Sequence, residues 1–159
     1  MTGTMAKRRQ WVVLVGALLG LVIALPADAA HIQVIYVGAY NCAPCKEWEL
    51  FSEPAWEKTP EAKQVELRKI KVPFFTETGS DSAWPEDLRW VRDRTNARSG
   101  TPRFIVVVDH RIAGTAFGTN GWSQRVVPLI ARLVANQAAA RTQAAAPDYD
   151  DGEMPAARD

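Results

Sequence analysis

The apolar positions of this chain fall into blocks whose spacing changes from one block to the next. Lys7, Arg8 and Arg9 precede Trp11 to Leu25, a run of fifteen residues without a charge. That is short of the roughly 20 apolar residues a spanning helix needs. Pro26 ends it, and Ala27-Asp28-Ala29 puts small residues where a signal peptidase cuts. Residues 1–29 therefore read as a cleaved signal peptide outside the fold, with an uncleaved membrane anchor as the alternative. Next, Ile32, Val34, Ile35 and Val37 crowd His31 to Val37 without clean alternation. This pattern predicts a strand buried on both faces, as in parallel sheets.

Beyond Cys45, Trp48 and Phe51 recur at spacings of three and predict a helix that turns both inward. Pro54 should end it near Glu53, leaving Trp56 as a lid on the core. Val65 to Val72 is β-branched and partly alternating, a second strand. Its alternation slips between Leu67 and Ile70, where a bulge or an early end is expected. Two strands joined through a helix imply parallel pairing and a right-handed crossover. Pro73 to Ser82 reads as a loop, with Phe74 and Phe75 expected to pack back on the core; a partner surface is the other reading.

Pro85 opens a helix whose buried stripe is Trp84, Leu88, Val91 and Thr95, with Asp87, Arg92, Asp93 and Arg94 on its wet face. Residues 96–100 end it. Phe104 to Val108 is the strongest strand signal in the chain. Asp109-His110-Arg111 can turn it back into Ile112 to Phe117, and Gly114 and Gly118 mark a bulge or a close backbone approach. A last helix should start at Gln124 or Arg125, keep Pro128 in its first turn, and end at Arg141. Val126, Ile130, Leu133, Val134 and Gln137 define its face. The organisation expected is a signal peptide (1–29), one domain (30–141) and a tail (142–159) too poor in apolar residues to fold. The 130 residues after the signal suffice for one core.

Charge narrows the function classes. Removing Lys7, Arg8, Arg9 and Asp28 from 19 basic and 18 acidic residues leaves 16 against 17, a net of −1. A near-neutral mixed surface argues against nucleic acid as a partner, which selects a basic stripe.

The chain has two cysteines, Cys42 and Cys45, in the stretch Cys-Ala-Pro-Cys at the junction of the first strand and its helix. A helix N-terminus offers unpaired N–H groups and partial positive charge, which favour a thiolate. Pro44 suits the first turn, where its missing N–H has no partner to lose. A c-type haem site would need histidine after the second cysteine, and Lys46 stands there. A closed zinc site needs four ligands, and His31 and His110 are far apart in sequence. An inert disulfide would close a loop too short to remove much unfolded-state entropy. Redox chemistry is the favoured reading, and it calls for no cofactor or metal. Export would put the pair where disulfides form and persist.

The order strand, C-x-x-C, helix, strand, helix, Thr-Pro-led strand, hairpin, helix resembles the thioredoxin-like superfamily in its small form, over roughly residues 31–140. The residues that carry the resemblance are Cys42, Pro44, Cys45, Thr101-Pro102 and Gly118. It implies an α/β fold with a four-stranded mixed sheet of order 2-1-3-4 flanked by helices. It further implies that Cys42 attacks, that Cys45 resolves, and that Pro102 is a cis-proline shaping the groove. Thr101 would offer main-chain hydrogen bonds to substrate, and Gly118 would leave room beside it. Two departures stand out. Tyr36 occupies the position where many thioredoxins bury an acid, and Asn41 the position where they usually carry tryptophan. The insertion between the second strand and Thr101-Pro102, with Pro73-Phe74-Phe75 and Trp84, is longer than a minimal fold requires and is similar to that of short exported thioredoxin-like proteins of sulfur-compound oxidation or cytochrome maturation.

The function expected is an exported, periplasmic thiol–disulfide oxidoreductase that reduces a protein disulfide substrate and is itself re-reduced by a membrane electron donor. Ala43 and Pro44 supply no donor or charge to hold a thiolate strongly, which favours the reducing direction. The competing class is a non-catalytic binding module, either a copper carrier on two soft thiolates or a regulatory partner protein. In it, Phe74, Phe75, Trp56 and Trp84 would form an aromatic docking face, and a copper site would want a further histidine or methionine near the cysteines.

Overall fold

The computed structural model describes residues 30–95 and 100–146 of the 159-residue chain. The expected signal peptide, residues 96–99 at the end of the middle helix, and the tail from Pro147 lie outside the described residues. Among the described residues no helix is long and apolar enough to cross a membrane.

The first strand, β1 (Ile32–Ala39), runs through the middle of the molecule. The helix after it comes in three pieces: α1 (Ala43–Glu47), a wide π turn (Trp48–Ser52) and α2 (Glu53–Trp56). Then come β2 (Glu66–Val72), α3 (Arg89–Arg94), β3 (Arg103–Val108) and β4 (Arg111–Phe117). A closing helix consists of α4 (Gly118–Gly121), a second π turn (Trp122–Val126) and α5 (Val127–Ala145). The four strands form one mixed sheet of order β2-β1-β3-β4, with β1 parallel to β2 and antiparallel to β3. This is the sheet the sequence resemblance implies.

The unbroken apolar run of β1 reflects burial on both of its faces. Val34 and Tyr36 look toward a layer holding Cys45, Trp48, Trp56, Phe104, Trp122 and Ile130. Ile35 and Val37 look the other way, toward Trp84, Leu88 and Val91, the stripe read from the sequence. The first layer is aromatic at its centre. Tyr36 stacks on Trp48 at 4.5 Å, Trp48 meets Trp122 edge-on at 5.0 Å, and Trp56 meets Trp122 at 5.3 Å. Such pairs add about 0.5–1.5 kcal/mol each beyond the area they bury. Trp56 is thus the lid expected of it.

Five local expectations are corrected. The cysteine helix does not stop at Pro54. In the wide turn the Glu53 N–H reaches back five residues to the Trp48 carbonyl. A ring that would clash in a regular helix can come after such a turn. The closing helix repeats the device: the Val127 N–H reaches Trp122, and Pro128 comes next. Pro128 therefore sits in mid-helix, the helix begins at Gly118, and it runs on to Ala145, past the Arg141 expected.

The wide turn also changes the angular spacing of its own side chains. Phe51, expected inside, is 70% exposed. The β1–β2 ladder is continuous from Gln33–Glu66 to Ala39–Val72, with no bulge. The alternation slips because Lys69 and Lys71 face the helix that covers β2, where they pair with Glu53 and Glu49. Finally, Phe74 and Phe75 are each 55% exposed and do not pack back on the core.

The hairpin behaves as read. Asp109 and His110 take φ of 45° and 63° at the tip, and the β3–β4 register shifts between Val106 and Val107, opposite Gly114. A Cβ on Gly114 would come within 2.7 Å of Leu129, so close packing selects glycine there.

Candidate functional site

Parallel and antiparallel pairing together bring three chain ends to one edge of the sheet. The C-terminal end of β1, the N-terminal end of β3 and the C-terminal end of β4 meet there, with Val37 opposite Arg103 and Arg103 opposite Phe117. Cys42 and Cys45 leave β1 on that edge. Thr101-Pro102 enters β3 on it, and Gly118 leaves β4 on it. The turn carrying the cysteines packs against α4, which starts at Gly118.

Cys42 and Cys45 form a disulfide, with their Cα atoms 5.2 Å apart. Cys42 takes the N-cap of α1, its backbone extended, and its sulfur accepts the Cys45 N–H at 3.1 Å. Pro44 lies in the first turn, as its missing N–H allows. The two cysteines differ in access: Cys42 retains 7% exposure and Cys45 none. A reagent arriving from outside meets Cys42 first. Ala43 and Pro44 between them are exposed.

The Thr101–Pro102 peptide is cis, Pro102 is buried, and its carbonyl accepts the Gly118 N–H at 2.8 Å. Gly118 has φ of +71°, a left-handed backbone that favours glycine, and open space where a Cβ would be. Arg103, next to Pro102, is buried, and burial lowers its pKa. Both histidines stand at the opposite end of the sheet. His31 precedes β1 and lies 3.0 Å from Glu66, while His110 stacks on Trp90. The metal-binding alternative therefore finds no described histidine beside the sulfurs.

The layer that holds the cysteines also contains a polar cluster not read from the sequence. Tyr36, fully buried on β1, donates its hydroxyl to Glu49 at 2.7 Å. Lys71 of β2 donates to the other oxygen of the same carboxylate at 2.6 Å. Burial raises the Tyr36 pKa far above its ordinary value, and the hydrogen bond to Glu49 raises it further. Partial burial works to raise the Glu49 pKa, but the bonds from Lys71 and Tyr36 outweigh it and hold the carboxyl below its usual range. The charge of Glu49 is thus kept, one helical turn past Cys45. That i, i+4 spacing from Cys45 was the available signal. Glu47, nearer to Cys45 in sequence, is exposed.

No family model and no curated protein matches the sequence. Solved structures do. The periplasmic thioredoxin SoxS from Paracoccus pantotrophus, in its reduced form, superposes with a TM-score of 0.48 at 19% identity, over 68% of this chain and 99% of its own. Spinach chloroplast thioredoxin f, short form, gives 0.44 at 15% identity over 69% and 81%. Malassezia sympodialis thioredoxin gives 0.43 at 19% identity over 64% and 73%. On the strand order, pairing directions and helix placement of its own backbone, this chain has the thioredoxin fold.

Proposed function

We propose that this protein is an exported thiol–disulfide oxidoreductase that reduces disulfides of partner proteins. One observation carries the reading. The chain's two cysteines are joined at a helix N-terminus, on the sheet edge where Thr101-Pro102 enters β3, with one cysteine partly accessible and the other sealed. A structural disulfide has no need of that asymmetry.

In the reduced protein the Cys42 thiolate attacks one sulfur of a partner disulfide. That bond breaks, and the departing sulfur leaves as a thiolate that takes up a proton. Cys45 then loses its proton and attacks Cys42, forming the Cys42–Cys45 bond seen here and releasing the second partner sulfur. The partner gains two electrons and the pair loses them, so a dithiol donor on the membrane side must restore it. The N–H of Cys45 already points at the Cys42 sulfur, and the helix terminus favours the thiolate. Pro102 shapes the groove, Thr101 offers main-chain hydrogen bonds to substrate, and Gly118 leaves room beside them. Export rests on the basic residues and apolar run that begin the sequence.

The direction of electron flow is set by the surroundings of Cys42. An oxidant needs a strongly stabilised thiolate, yet Ala43 and Pro44 bring neither donor nor charge and Lys46 is solvated. The test is catalysed reduction of insulin by dithiothreitol. The protein should accelerate it, and Cys42→Ser should abolish the acceleration. A pair that remains reduced in a strongly oxidising glutathione buffer would reverse the direction.

A further inference from the structure

Among the described residues, six large apolar side chains are exposed: Tyr40, Leu50, Phe51, Phe74, Phe75 and Phe117. Three of them share the rim on the β2 side of Cys42. Tyr40 lies two residues before it, and its N–H bonds to the Val72 carbonyl at 3.0 Å. Phe74 and Phe75 come just after Val72, separated from it by Pro73 alone, and the Phe75 N–H donates to the side-chain oxygen of Asn41 at 3.2 Å. One bond thus ties the Phe-Phe segment to Asn41, and the other ties Tyr40 to the end of the strand from which that segment leaves.

The segment is also held from below. Thr78, itself buried, donates its hydroxyl to the Phe75 carbonyl at 2.9 Å, and buried Trp84 donates its indole N–H to the Thr78 carbonyl at 2.7 Å. A chain of bonds from the core, through Trp84 and Thr78, fixes a backbone whose outcome is two phenylalanines facing water. Apolar surface held outward in this way costs free energy unless something covers it. Charge says what kind of surface that is. Lys71 sits 4.4 Å from the centre of the Tyr40 ring, and its charge is paired with Glu49. Between Pro73 and Thr78 the segment carries one charge, exposed Glu77, and the rim itself (Tyr40, Phe74 and Phe75) is aromatic area.

We propose that Tyr40, Phe74 and Phe75 form a docking rim for a polypeptide whose cystine is flanked by apolar side chains, and that this rim selects the substrate presented to Cys42. The proposal rests on the thiol–disulfide reading above and adds its specificity.

The test uses the reduced full-length mature protein, recycled by dithiothreitol with the uncatalysed rate subtracted, and two cystine peptides of equal length and charge. One carries leucines beside each cysteine and the other serines; bis(2-hydroxyethyl) disulfide is a third substrate. Covering one or two side chains is enough for about tenfold in affinity. The wild type should accordingly show kcat/KM about tenfold higher for the leucine peptide, mostly through KM. The double variant F74S/F75S should bring that ratio within about twofold, and Tyr40→Ser, a smaller change, should lower it part of the way. A wild type that treats both peptides alike, or a preference that survives F74S/F75S, overturns the rim. A wild type that turns over none of the three disulfides overturns the thiol–disulfide reading itself, and the rim with it.

Discussion

The hydroxyl of Tyr36 and the carboxylate of Glu49, thirteen residues apart in sequence, meet at 2.7 Å beneath the cysteine helix, with the Tyr36 ring stacked on Trp48. Tyr36→Phe keeps the stack and deletes this bond to a charged acceptor. It should lower stability by about 1.5–3 kcal/mol in denaturant unfolding. A change under about 0.5 kcal/mol would show that Glu49 is satisfied by Lys71 alone.

The same pair sets the pH response at both ends. The Tyr36 pKa is raised on folding, so its contribution is fully present below its ordinary value near 10 and is lost as pH climbs above that toward the folded value. Stability should therefore fall above pH 10, by no more than about 1.4 kcal/mol per unit for one proton. In absorbance titration of the folded protein, the Tyr36 phenol should ionise above its ordinary range. The Glu49 pKa is lowered on folding, so its contribution is present above the ordinary carboxyl value of 4.5 and lost as pH falls through the folded one. Glu49→Gln should flatten the acid limb of the stability curve; an unchanged limb would contradict the assignment.

Gly38 lies under the same ring. A Cβ there would stand 2.2 Å from the Tyr36 hydroxyl oxygen and 2.5 Å from the ring carbon bearing it. The ring is stacked and buried, so it cannot step aside. Gly38→Ala should cost about 1–3 kcal/mol, and most of that should vanish in a Tyr36→Leu background. A double-mutant cycle reads the coupling, and simple additivity would mean that the ring relaxes.

Trp48 and Phe51 looked alike in the sequence, both inward at spacings of three from Cys45. Trp48 is fully buried among aromatic rings, whereas Phe51 faces water. Trp48→Ala should cost about 3–5 kcal/mol and Phe51→Ala less than about 0.5 kcal/mol. Comparable losses would restore the regular helix expected from the spacing.

That contrast marks the border of what the sequence shows. The strands were legible because burial leaves a direct trace in composition: β1 is apolar on both faces, and Phe104 to Val108 is β-branched almost throughout. The Cys42–Cys45 pair and Thr101-Pro102 were legible as motifs. Both π turns were hidden, because a wide turn before Pro54 or Pro128 writes nothing into the sequence except the proline, which ordinarily argues for an end. The lysines of β2 obscured its register, since their partners Glu49 and Glu53 come from another element. Phe74 and Phe75 were misjudged because apolarity alone does not say which way a loop points. The bonds from Asn41, Thr78 and Trp84 decide it.

In the mechanism proposed above, Cys42 exchanges disulfides with a partner and Cys45 completes the exchange. The most direct measurement is covalent capture by Cys45→Ser, in which the resolving thiol is gone, compared with Cys42→Ser in the same exporting cells. Mixed disulfides on Cys42 that dithiothreitol releases are expected in Cys45→Ser, and none in Cys42→Ser. Equal capture by both variants, or a Cys42 in Cys45→Ser that traps nothing and alkylates no faster than an ordinary free thiol, would contradict that mechanism.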